Sequence, residues 1–425
     1  MLQAQRRFIP FAAIAVILIF ILFYHRETIR SGAWQKIPQS VGLGETIPDK
    51  PSSTSSNTTR PNGVIDKKPI PTTEEELHHY NPQAAYAPGT PKPPGQDYSL
   101  VLVIASVSQE DTGWIKEVLP EIETAIYVAD DSSAPLHPPK NKGHEVMIYL
   151  SYIIDHYDTL RDINVFMHSH RYSWHNNDLH DNDAAKMIQG LSRPRVTREG
   201  YMNMRTHWNP GCPDWMHPGV TVENEWKQEE VQLARSWSEL FPLDAVPSVL
   251  AQPCCAQFAI SRERIQAIPL ARYVFFRDWL LRTPLPDHIS GRVWEYVWQY
   301  LFTGDNVVCP AEHIAYCDGF GICFGNEDAY NAWFAEREVK VNAEAELLDW
   351  KLKDAAVKEA QEEGRIEDVQ NLEVPQPGYD EELQKVIDRQ NALLDSLKAD
   401  AIERGKDPKN RAMEAGRPWK EGDGF

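Results

Sequence analysis

The sequence predicts an α/β domain built on a mainly parallel sheet with flanking helices. Three observations predict it. Short apolar runs recur at 99–107, 125–129 and 163–167. Helical patterns separate these runs. Each run ends in polar or acidic residues, as strands do where a parallel sheet meets its ligands.

Ser99 to Val107 is almost uninterruptedly apolar, which suits a strand buried on both faces. Asp111 to Ile122 reads as a helix that opens on acidic residues and Thr112. Ala125 to Ala129 is the second strand and stops at Asp130-Asp131. His144 to Leu160 is a helix with Val146, Leu150, Ile153, Tyr157 and Leu160 on one face. Ile163 to Met167 is the third strand. Strand, helix, strand, helix, strand implies parallel pairing through right-handed crossovers.

A second set of elements follows. Gln257 to Ile260 reads as a short strand and Ser261 to Ala267 as a short helix. Val293 to Phe302 is predicted as one helix that buries Val293, Trp294, Val297, Trp298 and Leu301. Beyond Asp328 the chain is charged, with helices over 335–360 and 380–404 and few large apolar residues. Residues 327–425 therefore read as a charged helical extension suited to a protein partner, and 98–326 as the α/β domain.

The N-terminus predicts an anchor. Phe8 to Tyr24 carries no charge and would span roughly 26 Å as a helix. Arg6 and Arg7 before it favour a cytoplasmic tail of residues 1–7. A cleaved signal peptide is the alternative, with Ser31-Gly32-Ala33 as a distant cleavage site. Residues 25–97 include a Pro/Ser/Thr-rich stretch that cannot bury enough apolar surface to order itself, and they read as a disordered stem. Asn57-Thr58-Thr59 in that stem is a glycosylation sequon. The net charge of −19 argues against a nucleic-acid partner. All six cysteines lie between Cys212 and Cys323, an even number that suggests disulfides in an oxidising compartment. A zinc site is the rival reading, and no CxxC pair supports it. Anchor, stem and Cys-rich domain together predict a single-pass type II protein of the Golgi or endoplasmic reticulum membrane, with its domain in the lumen.

Polar residues gather at the predicted strand ends. Ser106 ends the first strand. Asp130 and Asp131 end the second, placed to accept hydrogen bonds from a ribose or base, or else simply to form a turn. The densest cluster runs from His168 to His175 and on to Asp183. His168 and His170 alternate on a strand and suit a divalent metal, Mn or Mg. Asp181 and Asp183 have the spacing that holds such an ion on a diphosphate. They equally suit a cap for a helix over 184–191. Asn141 and Glu145 enter the second helix, either as a plain cap or as ligand contacts. Glu295 beside the Trp-rich stripe, and Asp278 before Trp279, are candidate bases, since a carboxylate against aromatics has a raised pKa.

Several separated motifs carry a resemblance. Asn141-x-Gly143-x-Glu145 leads into Tyr149-Leu150-Ser151-Tyr152-Ile153-Ile154, then Val165-Phe166-Met167-His168. Ala256-Gln257-Phe258-Ala259-Ile260-Ser261-Arg262-Glu263-Arg264-Ile265 and Arg292-Val293-Trp294-Glu295 follow in order. Over about Leu100 to Cys323 the chain resembles a fungal family of proteins of unknown function, DUF3431. That family looks distantly like GT-A type glycosyltransferases. The resemblance implies a GT-A-like fold, a nucleotide-sugar donor, and a glycan or protein acceptor. His170-Arg171 and Glu295 would match that class's His-x-Arg-Arg segment and its later helical Glu, with Arg171 on the donor. His168-Ser169-His170 stands where the class has Asp-x-Asp, so a metal would be bound differently or not at all. A lumenal scaffold on a transferase-like fold, and a metal-dependent hydrolase using the His/Asp cluster, are the alternatives.

Overall fold

The computed structural model describes residues 86–365 and 371–425. The predicted anchor over 8–24, the tail before it and the sequon at Asn57 lie outside the described residues. Among the described residues, no helix is long and apolar enough to cross a membrane.

In chain order the first elements are β1 (Leu100–Ser106), α1 (Gly113–Val118), β2 (Glu123–Val128), α2 (Glu145–His156) and β3 (Ile163–His168). A 3-10 turn (Asp178–His180), α3 (Ala184–Gly190), α4 (Arg193–Glu199), β4 (Tyr201–Asn203) and α5 (Glu230–Leu240) follow. Next come β5 (Phe258–Ser261), α6 (Arg262–Gln266), α7 (Leu270–Arg282), α8 (Asp287–Glu295), α9 (Trp298–Thr303) and α10 (Glu312–Phe320). The chain ends with α11 (Glu327–Glu362), α12 (Tyr379–Arg404) and α13 (Pro408–Glu414).

The five strands form one sheet in the order β2-β1-β3-β5-β4. β1 pairs parallel with β2 and with β3, as the alternation of strand and helix predicts. β5 pairs antiparallel with both β3 and β4. The sheet is therefore mixed, not mainly parallel in its pairings. The difference has a local cause. β3 and β5 are joined by about 90 residues, not by one crossover helix, so nothing constrains β5 to run parallel.

Both faces of the sheet are covered. On one face, Tyr149 of α2, Phe166 of β3 and Phe258 of β5 form a stack, with ring centroids 4.9 Å apart for Tyr149–Phe166 and for Phe166–Phe258. Trp298 continues it at 5.3 Å from Phe258, and Trp294 lies 4.8 Å from Trp298. On the alternate positions Leu102, Ile104, Val165 and Met167 are fully buried as well. The predicted stripe of Val293, Trp294, Val297, Trp298 and Leu301 is buried throughout. It is carried by two helices, not one, because the chain turns at Tyr296 between α8 and α9.

The chain divides into two compact units. Residues 401–425 belong to the α/β unit, not to the charged extension: Cys323 N donates to Ala401 O, and Arg417 donates to Asp318 at 2.8 Å. Residues 86–97, at the end of the predicted stem, also pack on this unit. Tyr86 Oη donates to Leu301 O, and Lys92 pairs with Asp162 at 2.8 Å. The other unit holds residues 327–400, where α11 and α12 run antiparallel. Trp333 donates to Leu394 O, and Ala343, Leu347, Leu383 and Ile387 form a small core.

All six cysteines are paired: Cys212–Cys309, Cys254–Cys255 and Cys317–Cys323. The first closes a loop of 97 residues, so it removes much conformational freedom from the unfolded chain. Replacing Cys212 and Cys309 by Ser is expected to cost about 4 kcal/mol. Urea unfolding checks this, and a loss below about 1 kcal/mol contradicts it.

Candidate functional site

The parallel strands bring their C-terminal ends to one edge. The register places Ser106 beside Val128 and Ala105 beside His168. β5 runs the other way, so its N-terminal approach, including Gln257, reaches the same edge.

Ser106 is buried, and its hydroxyl donates to Tyr127 O at 2.9 Å. Asp130 accepts from Ser108 N at 2.7 Å and from Ser108 Oγ at 2.8 Å, tying the exits of β1 and β2 together. Those two bonds hold its carboxyl below the usual carboxylate range. Asp131 accepts from Ser133 N and Oγ, the turn-forming alternative for this residue.

Asn141 is exposed and Glu145 is the half-buried first residue of α2. The glycine between them has the clearer role. Gly143 has a φ of +70°, and a Cβ there would lie 2.6 Å from the Leu280 side chain. Its N–H donates to Asp287 Oδ1, and Lys142 donates to Leu285 O at 2.6 Å. The Asn-x-Gly-x-Glu motif thus docks the entry of α2 against α8.

Glu295 ends α8 and is buried. Its Oε1 accepts from Cys255 N, and its carbonyl accepts from Gln252 Nε2 at 2.5 Å. The carboxylate therefore lies against the loop that carries the Cys254–Cys255 disulfide. Asp278 is instead on the outer side of α7, half-exposed and paired with Arg282 at 2.8 Å.

The predicted metal residues do not converge. β3 ends at His168, so the expected alternation does not carry His170 to the same side. His170 is exposed, 3.6 Å from Glu110. Asp181 has left-handed backbone after the 3-10 turn and pairs with Lys186 at 2.5 Å. Asp183 is buried, caps α3 through Ala185 N at 2.9 Å, and takes both Nε and Nη2 of Arg171. Burial opposes ionisation of Asp183, but the Arg171 hydrogen bonds outweigh it and hold its carboxyl low. Each carboxylate already faces a cation, so the two do not fit a shared ion. Among the described residues two groups bring three possible metal-ligating atoms within 4.8 Å of one another, Cys254/Cys255/Glu295 and Cys317/Cys323/Glu414. Both contain a disulfide and so offer no thiolate.

The geometry assembles a different cluster. His168 Nδ1 lies 3.1 Å from His175 Nε2, with the rings perpendicular and 4.7 Å apart. His175 Nδ1 meets Ser173 Oγ at 2.9 Å. His168 N donates to Gln257 Oε1 at 3.3 Å, and Gln257 Nε2 donates to Asn176 Oδ1 at 3.2 Å. Burial pushes His168 down to about 4, helped by the positive fields of His170 and His144. Burial also holds His175 well below the ordinary histidine range, reinforced by His168, Arg205 and His170. Both rings are neutral at neutral pH. Arg205 is buried against the Trp174 ring and donates to Trp174 O at 3.1 Å and Asn209 O at 2.8 Å. Gln257 and Arg205 were not legible as site residues, because only the sheet pairing and the contacts of the loop after β3 bring them there. The alternation of polar and aromatic residues over 168–176 was the one available signal.

Fold and site together define an α/β domain with a histidine-lined edge where parallel strands end. The chain matches the family described as a protein of unknown function (DUF3431) over residues 102–318, and it belongs to that family. The match runs from β1 into α10 and takes in the whole sheet edge. Neither a curated protein nor a solved structure matches the chain.

Two outcomes follow for stability. Asp183→Ala is expected to cost about 2 kcal/mol, because it removes the cap of α3 and the partner of Arg171. Thermal or urea unfolding checks it, and an unchanged midpoint contradicts it. The second concerns pH. The neutral imidazoles take up protons more readily in the unfolded chain. The contribution of His168 is full above about pH 6.5 and is lost as pH falls toward about 4, roughly 3 kcal/mol, and His175 acts in the same direction. His168→Gln should flatten the fall in stability across that window, and an equal slope in the variant contradicts the assignment.

Proposed function

We propose that this α/β domain is a GT-A-like glycosyltransferase domain of a type II membrane protein. It would bind a nucleotide-sugar over the exits of β1, β2 and β3 and pass the sugar to a glycan or protein acceptor. One observation carries the reading: Ser106, the Ser108–Asp130 clasp and His168 meet at a single strand edge, where open α/β sheets bind their ligands. Three disulfides support an oxidising compartment such as the lumen of the Golgi or endoplasmic reticulum. Arg171 is held by Asp183, so it serves the donor only if that pair opens. Glu295, beneath the Cys254–Cys255 loop, orders the backbone at the edge in place of acting as a base. Asp181 and Asp183 are each engaged by a side-chain cation and do not offer a shared site to Mn or Mg.

Calorimetry on the purified full chain with UDP, GDP, CDP and ADP tests the reading, with and without Mn. One nucleotide is expected to bind in the micromolar range, and Asp130→Asn to weaken it several-fold by loosening the clasp. Absence of binding for all four overturns it.

A further inference from the structure

We propose that Ser173, His175 and His168 form a hydrogen-bonded chain that makes His168 Nε2 the proton acceptor of this site, with His175 and Ser173 as positioning residues. The three side chains come from one loop leaving β3, and their contacts run in sequence: Ser173 Oγ to His175 Nδ1 at 2.9 Å, then His175 Nε2 to His168 Nδ1 at 3.1 Å. A nitrogen–nitrogen hydrogen bond between neutral imidazoles needs one N–H and one lone pair, so the tautomer of one ring sets that of the other. In the order assigned here His168 Nδ1–H donates to His175 Nε2, and His175 Nδ1–H donates to Ser173 Oγ. His168 Nε2 is then a bare lone pair, and among the described residues no protein group hydrogen-bonds it.

The loop that carries this chain is pinned at both ends. Gln257 accepts from the His168 amide and donates to Asn176, and Asn176 donates to Arg171 O at 3.1 Å and Asn182 O at 2.9 Å. Trp114 Nε1 donates to Ser169 O at 2.8 Å from α1. Such support fixes a reacting group in one orientation before substrate arrives. The charged and titratable groups around His168 and His175 are His144 at the entry of α2, His170 on the same loop, Glu110 after β1 (through His170) and Arg205 after β4. Apart from Glu110 these are imidazoles and a cation, which hold the resting ring neutral.

The chemistry rests on the transferase reading above. The acceptor's O–H bond breaks as an Nε2–H bond forms. The acceptor oxygen bonds to the anomeric carbon. The bond from that carbon to the diphosphate oxygen breaks, and its electron pair leaves with the nucleoside diphosphate. The imidazolium so formed keeps its Nδ1–H bonded to His175, which is the role an orienting partner has beside a catalytic histidine.

The test is long-range proton–nitrogen correlation spectroscopy on the full chain labelled with 15N-histidine in detergent, with His168 assigned from the signal lost in His168→Gln. At pH 7 the expected result is an unprotonated Nε2 on His168 and a protonated Nδ1. In His175→Ala the ring should revert to the Nε2–H form that an unsupported imidazole prefers. If that variant does not fold, Ser173→Ala should scramble the tautomer of His175 and, through it, that of His168. A protonated Nε2 in the wild-type chain, or a tautomer indifferent to the substitutions, overturns the proposal. The two readings fail separately: the assigned tautomer with no nucleotide binding removes the transferase and leaves the relay, while nucleotide binding with the opposite tautomer does the reverse.

Discussion

Where β5 enters the sheet against the direction of β3, Phe258 meets Phe166 and Gln257 meets His168. These neighbouring contacts have opposite characters. The phenylalanine pair extends the aromatic stack that α2, α8 and α9 close over, so it belongs to the core. The glutamine stands one residue further along and turns the same strand pairing into a polar clamp on the loop after β3. Had β5 run parallel, its N-terminal end would lie at the far edge of the sheet. Gln257, the Cys254–Cys255 loop and the contact from Glu295 would then be remote from His168. The antiparallel strand therefore does more than complete the sheet. It imports a second segment of chain to an edge that parallel strands alone would leave bordered only by their own loops.

The electrostatics of that edge follow from burial and from commitment of charge. Asp181 pairs with Lys186 and Asp183 with Arg171, and Asp130 holds a serine. Little unengaged negative charge remains beside the histidines to stabilise their protonated forms. His175 is buried and His168 half-buried, and neighbouring imidazoles and Arg205 add positive potential there. Desolvation and like charge act in the same direction on an imidazole, toward neutrality. A site arranged in this way keeps its imidazoles in the neutral form.

Much of the frame was legible in the sequence, and the reasons are physical. β1, β2, β3 and α2 lie within a few residues of their predicted bounds, because a strand buried on both faces and an amphipathic helix each leave a strong periodic mark. β5 is short but ends in a serine that caps α6, and Ser261 signalled both. β4 left no mark: three residues are too few for any alternation to be visible. The single helix predicted over 293–302 is two, since the apolar spacing of Val293 to Leu301 persists across the break at Tyr296. The site was legible as a region and less so as a set of atoms. The run from His168 to His175 stood out by its composition. Asp181 and Asp183 looked like a metal pair because spacing alone cannot show that one turns to Lys186 and the other to Arg171. Gln257 lies about 90 residues from His168 in sequence, and only the sheet pairing connects them.

The proposed ligand site is one strand edge, with the Ser108–Asp130 clasp on one side and His168 on the other. The measurement that tests it most directly is a crystal structure of the full chain grown with a nucleoside diphosphate that it binds in solution. The expected result is a nucleotide lying over the exits of β1, β2 and β3, within contact distance of Asp130 and with His168 facing the diphosphate end. A nucleotide seated elsewhere on the domain, with the His168–His175 pair untouched, would contradict it.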